Sequence, residues 1–276
     1  MGHVVRAALP PRRPLASPEH RARSQDPPGF VIELFGLPGV GKSRLVAELL
    51  RASAGLELHL DRPVARIDPA SPTAVRVGRK LGLAAAECAL HPVRSGAAAR
   101  AIVGSQRAGL AAGMPRWIHW LIVQRLMSSA LRSQGSHLFD EGVLQALWSI
   151  GLRGDVTPAL DQLGEAPGRW ALPDLVVFVQ APLEVIRRRL SERSSRHSRL
   201  QARGDPRRRR RELARGRDLA ERIRGWWVDV VADTRPVLEV DNGPTASLDD
   251  LGSSLIHEIV RHIVAQGRRP ERDRSL

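Results

Sequence analysis

Residues 30–43 read FVIELFGLPGVGKS. The first six are mostly apolar and stop at Gly36, which predicts a short parallel strand buried on both faces. The next eight, Gly36–Ser43, have the spacing G-x-x-x-x-G-K-[ST] of a phosphate-binding loop. Apolar residues then recur with helical spacing at Leu45, Val46, Leu49 and Leu50. A strand, a glycine loop and a helix in this order predict a nucleotide-binding site.

Lys42 stands out chemically within that loop. Of 43 basic residues only two are lysines, Lys42 and Lys80, which leaves 41 arginines. A tight loop needs a compact ammonium on a thin stem rather than a wide guanidinium fork. We expect Lys42 to reach the β- and γ-phosphates of ATP and the Ser43 hydroxyl to bind Mg²⁺. The predicted cofactor-binding residues of the loop are Gly36, Leu37, Pro38, Gly39, Val40, Gly41, Lys42 and Ser43.

The composition suits a globular chain of one large or two small domains, with 276 residues of which 42% are hydrophobic. No apolar run approaches the ~18 residues that span a bilayer, and the start lacks the apolar stretch of a secretory signal. Cys88 is the single cysteine, so an internal disulfide is impossible. These features predict a cytoplasmic protein without a membrane partner.

The net charge of +14 has two interpretations. A basic chain can bind nucleic acid or polyphosphates. A genome rich in G and C also favours arginine codons, and the absence of tyrosine beside the arginine runs supports this second interpretation.

Strand-like and helix-like patterns alternate from residue 30 to about 265. We therefore predict an α/β, three-layer P-loop NTPase fold with a mostly parallel five-stranded sheet and helices on both faces. A weak second strand lies within Leu56–Leu60 or Val64–Ile67. Residues 1–28 are predicted to be a disordered leader rich in proline and arginine, 29–266 the domain, 191–212 a candidate arginine-rich lid, and 267–276 a charged tail.

Two acidic residues follow the predicted strand at 137–139. Asp140 at the end of an apolar strand can hold Mg²⁺, or it can cap the next helix. Glu141 can polarise a nucleophile, or it can be a first-turn acid that faces water. We take both as candidate catalytic residues and Asp140, with Ser43, as a candidate metal ligand.

Arginines crowd residues 187–203. A lid that closes over the nucleotide could supply an arginine to the transferring phosphoryl group and exclude water. Arg193 and Arg199 are the candidates, because they follow Leu190, the last core-facing residue. The alternative is a solvated helix face followed by a loop. The run Arg207–Arg211 suits a solvated or polyanion-facing surface.

Trp117, Trp120, Gln124 and Arg125 recur at helical spacing before the Asp140 strand. Such a helix face can line an acceptor pocket with an aromatic wall and a few polar groups. The competing interpretation, which we favour, places both tryptophans in the core.

In motif order the chain resembles the nucleoside and nucleoside-monophosphate kinases, most nearly the thymidylate-kinase-like branch. The matching segments are the glycine loop, Phe139-Asp140-Glu141, the strand and helix at 176–190, the arginine segment and residues 237–243. The resemblance covers residues 30–265 and implies ATP phosphates on Gly39, Gly41, Lys42 and Ser43. It also implies that Arg193 and Arg199 lie in the lid and that Asn242 and Gly243 lie near the adenine.

This chain departs from that family in a long helical stretch before Asp140, an arginine-dense lid and the lack of a recognisable acceptor-binding arginine motif. The acceptor is thus unidentified, and a homodimer is left open. Our first hypothesis is an ATP-dependent kinase that phosphorylates a small molecule, such as a nucleotide or nucleoside. The alternatives are an ATPase that uses Asp140 and Glu141, and a nucleic-acid-binding protein that uses its arginine-rich segment.

Overall fold

The computed structural model describes residues 6–7, 28–56, 58–63, 72–106, 109–192 and 206–267. Within these ranges the strands are β1 (Arg6–Ala7), β2 (Phe30–Phe35), β3 (Leu60–Asp61), β4 (Ser136–Phe139), β5 (Leu175–Gln180) and β6 (Val237–Asp241). The helices are α1 (Lys42–Gly55), α2 (Thr73–Leu90), α3 (Pro92–Gly104), α4 (Leu110–Arg132), α5 (Val143–Gly151), α6 (Thr157–Glu165), α7 (Leu183–Glu192), α8 (Pro206–Val230) and α9 (Leu248–Ala265).

The strands form one sheet in the order β1-β6-β5-β2-β4-β3. The strands from β6 to β3 are parallel, and β1 pairs antiparallel with β6 at the edge. In the centre, Ile32 lies opposite Leu138 of β4 and Leu175 of β5. The carboxyl ends of β2, β4 and β5 therefore meet at one edge of the sheet, where ligands of such folds bind. The predicted α/β architecture with five parallel strands is confirmed, and β1 adds a sixth strand.

Helices cover the sheet because its central strands are apolar on both faces. All six residues of β2 are buried. Helix α1 packs on α9, and α5 packs on β2, α4 and α8. Leu45, Val46 and Leu49 form the buried stripe of α1 that their spacing predicts. Helix α9 begins after Ser247, which with Asp250 three residues later has the spacing of a capping box, and the backbone N–H of Asp250 donates to the Ser247 hydroxyl at 3.3 Å.

Two predicted segments differ from expectation or lie partly outside the described residues. Residues 6–7 of the supposedly disordered leader form strand β1, opposite Glu239 and Leu238. In the predicted lid, residues 193–205 lie outside the described part, while 206–212 belong to the first turns of α8. The lid stays a prediction for the whole segment, and its last seven residues, 206–212, are helical because Pro206 begins α8.

Within the described ranges, none of the helices is both long enough and apolar enough to cross a membrane.

Candidate nucleotide-binding site

The loop Gly36–Ser43 joins β2 to α1 in a conformation that requires its glycines. Gly39 and Gly41 have φ angles of 90° and 104°, which residues other than glycine rarely adopt. A Cβ atom on Gly41 would lie 2.3 Å from Nδ2 of Asn242, and one on Gly39 would lie 2.8 Å from Cγ of Leu190. Helix α1 has no side-chain cap and no acidic residue in its first turn. Its positive end is therefore available to phosphate oxygens.

The Lys42 ammonium folds back over this loop. Its Nζ donates to the carbonyl oxygen of Gly36 and to that of Leu37, the latter at 3.3 Å. Ser43, the next residue, has an exposed side chain. Lys42 and Ser43 are thus the first two residues of α1, and their contacts with phosphate and Mg²⁺ stay predictions.

Asn242, the residue after β6, supports the loop through hydrogen bonds. Its Nδ2 donates to the Val40 carbonyl at 2.8 Å, and its own N–H donates to the carbonyl of Gln180 at 2.8 Å. Only 1% of Asn242 is exposed. The structure therefore places the Asn242 amide against the phosphate loop, with Gly243 buried beside it. An adenine contact from this pair stays a prediction.

Arg189 on α7 reinforces the same contact. Its Nη1 donates to the carbonyls of Val40 at 3.1 Å and Asn242 at 3.2 Å. Burial lowers the pKa of Arg189, and the nearby charges of Arg188 and Arg44 act in the same direction. The sequence did not single out this residue within the arginine-rich segment. Arg193 and Arg199, the arginines that it did single out, lie outside the described residues.

Asp140 lies at the carboxyl end of β4, next to β2 in the sheet. Asp140 is 7% exposed, and its Oδ2 pairs with Nη2 of Arg62. Oδ1 is buried and has no hydrogen-bond partner among the described residues. Arg62 directly follows the short strand β3, so the guanidinium and the carboxylate come from neighbouring strand ends. The sequence gives little warning of Arg62, because a two-residue strand has no measurable periodicity.

Glu33 is the third functional candidate that the sequence did not single out, after Arg189 and Arg62. It lies in the middle of β2 with none of its surface exposed. Its Oε2 accepts the N–H of Val143 at 2.9 Å, and Oε1 accepts those of Leu144 at 2.9 Å and Gln145 at 3.2 Å. Burial raises the pKa of Glu33 to about 8, although these three N–H groups and the Lys42 charge act in the opposite direction. A strand residue therefore caps α5.

This cap excludes two of the alternatives for the acidic pair. The N-cap position of α5 is Gly142, which provides no side chain, so Asp140 is not the cap. Glu141 precedes Gly142 and is exposed, so it is not in the first helical turn. Their predicted roles toward metal and nucleophile stay predictions.

Residues 31–223 match the family model of an AAA domain. The match covers more than half of the chain and includes the phosphate loop, Asp140 and the residues on α7. The chain belongs to this AAA domain family. It is accordingly a phosphotransferase or a nucleoside-triphosphate-hydrolysing enzyme.

Solved structures similar to this AAA domain include three of deoxyadenosine kinase from M. mycoides. The structure with the products dCMP and a flexible dCDP is 14% identical and has a TM-score of 0.46, covering 85% of this chain and 100% of that chain. The dCTP complex is 13% identical with a TM-score of 0.45, covering 84% and 99%. The dATP complex is 15% identical with a TM-score of 0.45, covering 84% and 100%. No curated protein matches the sequence.

The residues of this AAA domain fit a magnesium ion that arrives with a nucleotide. No group of three or more His, Cys, Asp or Glu side chains in the described ranges could hold a metal by itself. Mg²⁺, however, commonly takes one or two protein oxygens and completes its shell with phosphates and water. The unpartnered Oδ1 of Asp140 and the hydroxyl of Ser43 are oxygens of that kind.

A cavity of about 150 Å³ opens beside the loop, at the carboxyl ends of β2 and β5. Its walls are mostly apolar, with charged side chains from α8. The lining residues include Phe35, Leu37, Phe178, Leu183, Arg217 and Arg224.

The helix proposed as an acceptor wall is instead engaged in the core. Trp120 is buried, and Nε1 of Trp117 donates to the Ser95 carbonyl at 3.1 Å. The Gln124 amide pairs with the backbone of Ala171 in both directions, at 3.2 and 3.1 Å. These contacts support the core interpretation that we favoured for both tryptophans.

Proposed function

We propose that this AAA domain is an ATP-dependent kinase that transfers the γ-phosphoryl group of ATP to a small-molecule acceptor of the nucleotide or nucleoside class. The observation that carries the proposal is the phosphate loop itself, with the Lys42 ammonium held across its carbonyls and Asp140 at the end of the adjacent strand. Phosphoryl transfer depends on positioning and charge stabilisation more than on covalent chemistry, and this edge of the sheet offers both.

The residues of this site would have separate roles in phosphoryl transfer. The loop amides and the start of α1 would bind the phosphates, and Lys42 would exchange the carbonyls of Gly36 and Leu37 for phosphate oxygens. Ser43 and Oδ1 of Asp140 would hold Mg²⁺, which neutralises charge on the phosphates. Arg62 would keep the other oxygen of Asp140 in place.

In this proposal Arg189 supports the loop, since its guanidinium donates to the carbonyls of Val40 and Asn242. We therefore keep Arg193 and Arg199 as the proposed arginines for the transferring phosphoryl group. The cavity beside the loop supports a kinase, since an acceptor needs an apolar space close to the phosphates.

Hydrolysis of ATP is the second candidate. The exposed side chain of Glu141 favours it, because a carboxylate outside the helix and next to Asp140 could activate water. Under this alternative, ADP would form without any acceptor, and Glu141→Gln would abolish its formation.

The decisive experiment measures ATP turnover by mass spectrometry against nucleosides, nucleoside monophosphates and aminoglycoside-like alcohols. A kinase yields an acceptor that has gained one phosphoryl group, and Lys42→Ala loses this product by orders of magnitude. Lys80→Ala, which changes the only other lysine, is the matched control and should retain turnover. Product formation that survives Lys42→Ala would contradict the proposal.

A further inference from the structure

We propose that Glu33 is a positioning residue that fixes the Asp140–Glu141 turn to the strand that carries the phosphate loop. This inference rests on the proposed function, since it assigns Glu33 to the site that holds Mg·ATP. Glu33 itself touches neither the loop carbonyls nor Asp140 in the bonds described above. It acts through the backbone at the start of α5.

The location of Glu33 needs a reason, because a glutamate is a costly choice there. The other five residues of β2 are apolar and buried, and an apolar side chain would pack at this position without desolvation cost. Three backbone N–H groups compensate the buried carboxyl group. The same N–H groups would otherwise be unsatisfied, because the α5 N-cap Gly142 has no side chain. The Glu33 carboxyl group and the three N–H groups therefore satisfy one another, and neither is left buried without a hydrogen bond.

The chain positions around Glu33 turn this bond into a link between two functional segments. Glu33 is three residues before Gly36, where the phosphate loop begins, and it lies opposite Phe139 in the β2–β4 register. Asp140 follows Phe139 directly, and only Glu141 and Gly142 separate it from Val143. Beyond the backbone pairing of the two strands, the Glu33 side chain thus links the turn to the strand that carries the loop.

The fit around Gly142 shows how closely the turn approaches Glu33. A Cβ atom at Gly142 would lie 2.3 Å from Cδ of Glu33, so nothing larger than glycine fits without displacement. The cap also frees Asp140 from a capping role. One oxygen of Asp140 pairs with Arg62, and Oδ1 is left for a ligand.

The test compares the same substitution at two buried glutamates, Glu33→Met and Glu87→Met. Glu87 is 1% exposed and pairs with Arg94, far along the chain from the loop. For each protein, calorimetry determines ATP affinity in EDTA and in excess Mg²⁺, and the ratio is the gain due to the metal. This readout needs no turnover and no known acceptor.

We expect Glu33→Met to reduce the metal-dependent gain by about 10- to 100-fold, the usual effect of losing a group that orients a metal ligand. ATP affinity in EDTA should stay near the wild-type value, because the loop is intact. Glu33→Gln, which keeps an oxygen for Leu144 and Gln145, should restore part of the gain. Glu87→Met should leave the gain unchanged despite lower stability.

A wild-type gain in Glu33→Met would overturn the inference, and so would an equal loss in both methionine variants. If Glu33→Met does not fold, Gly142→Ala provides the second variant, since its methyl group displaces the turn from an intact Glu33. An unchanged gain in folded Gly142→Ala would again overturn it. Wild-type protein that binds Mg·ATP but phosphorylates no acceptor would contradict the kinase proposal alone, and the affinity comparison would still decide the role of Glu33.

Discussion

Glu33 and Glu87 are both buried, yet their partners differ in kind. Glu87 on α2 pairs with the guanidinium of Arg94 on α3, which also donates to the Arg169 carbonyl at 2.8 Å and lies 5.8 Å from the centre of the Trp170 ring. Glu33 accepts only backbone N–H groups in the bonds described, and these belong to the helix behind the candidate metal ligand. One glutamate joins two packing helices, and the other joins two parts of a site.

The difference should be largest in stability. We expect Glu87→Met to lower the free energy of unfolding by about 3–5 kcal/mol, because it leaves the partly buried Arg94 cation without its carboxylate. Urea denaturation followed by circular dichroism measures the change. The double substitution Glu87→Met with Arg94→Met should recover much of the loss, and a double variant no better than the single one would show that the charge is not the cause.

The Glu33 site should differ from the Glu87 site in its response to pH, through a change of a few kcal/mol in the free energy of unfolding. Burial raises the pKa of Glu33 from 4.5 to about 8, so the folded protein holds a proton between those values that the unfolded chain has released. The Glu33 contribution to stability is therefore fully present below pH 4.5 and is lost as the pH rises toward 8. Urea midpoints from pH 5 to 9 should fall more for wild type than for Glu33→Gln.

Glu87→Gln provides the comparison for that titration. Its pH profile should still show the fall that belongs to Glu33, because Glu33 is intact in it. Parallel profiles for wild type and Glu33→Gln would mean that Glu33 stays ionised in the folded state.

Two glycine substitutions should give smaller effects of opposite sign. Gly142→Ala crowds the Glu33 carboxyl group and should cost about 1–3 kcal/mol of stability. Gly96→Ala lies within α3, where a Cβ atom meets nothing within 4 Å, and should stabilise by roughly 0.5–1 kcal/mol. Thermal unfolding of both variants tests the pair. A neutral Gly142→Ala would mean that the turn adjusts without loss.

Much of the fold follows from the sequence because its signals are local. The run at 30–35, the glycine loop and the α1 stripe all depend on neighbours within a few residues. The capping box at Ser247 is likewise a local pattern. Where the local signal is weak, the prediction is poorer. The weak strand was expected within Leu56–Leu60 or Val64–Ile67, and β3 covers only Leu60–Asp61, at the end of the first range.

The site was harder to predict, because Glu33 and Arg62 reach their partners through contacts between distant segments of the chain. Glu33 and Val143 are 110 positions apart, and Arg62 and Asp140 are 78 apart. No spacing rule relates such pairs. One clue was nevertheless present: a charged residue in the middle of a strand expected to be buried on both faces requires a buried partner.

The last strand has a consequence for the order in which this enzyme becomes competent during synthesis. Asn242 emerges from the ribosome about 200 residues after the Val40 carbonyl that it holds, and β6 is also the strand on which Arg6–Ala7 pairs. A nascent chain that ends before β6 carries the complete glycine motif but lacks this support. The support of the phosphate loop is therefore complete only after β6 has been synthesised, about 200 residues after the loop itself.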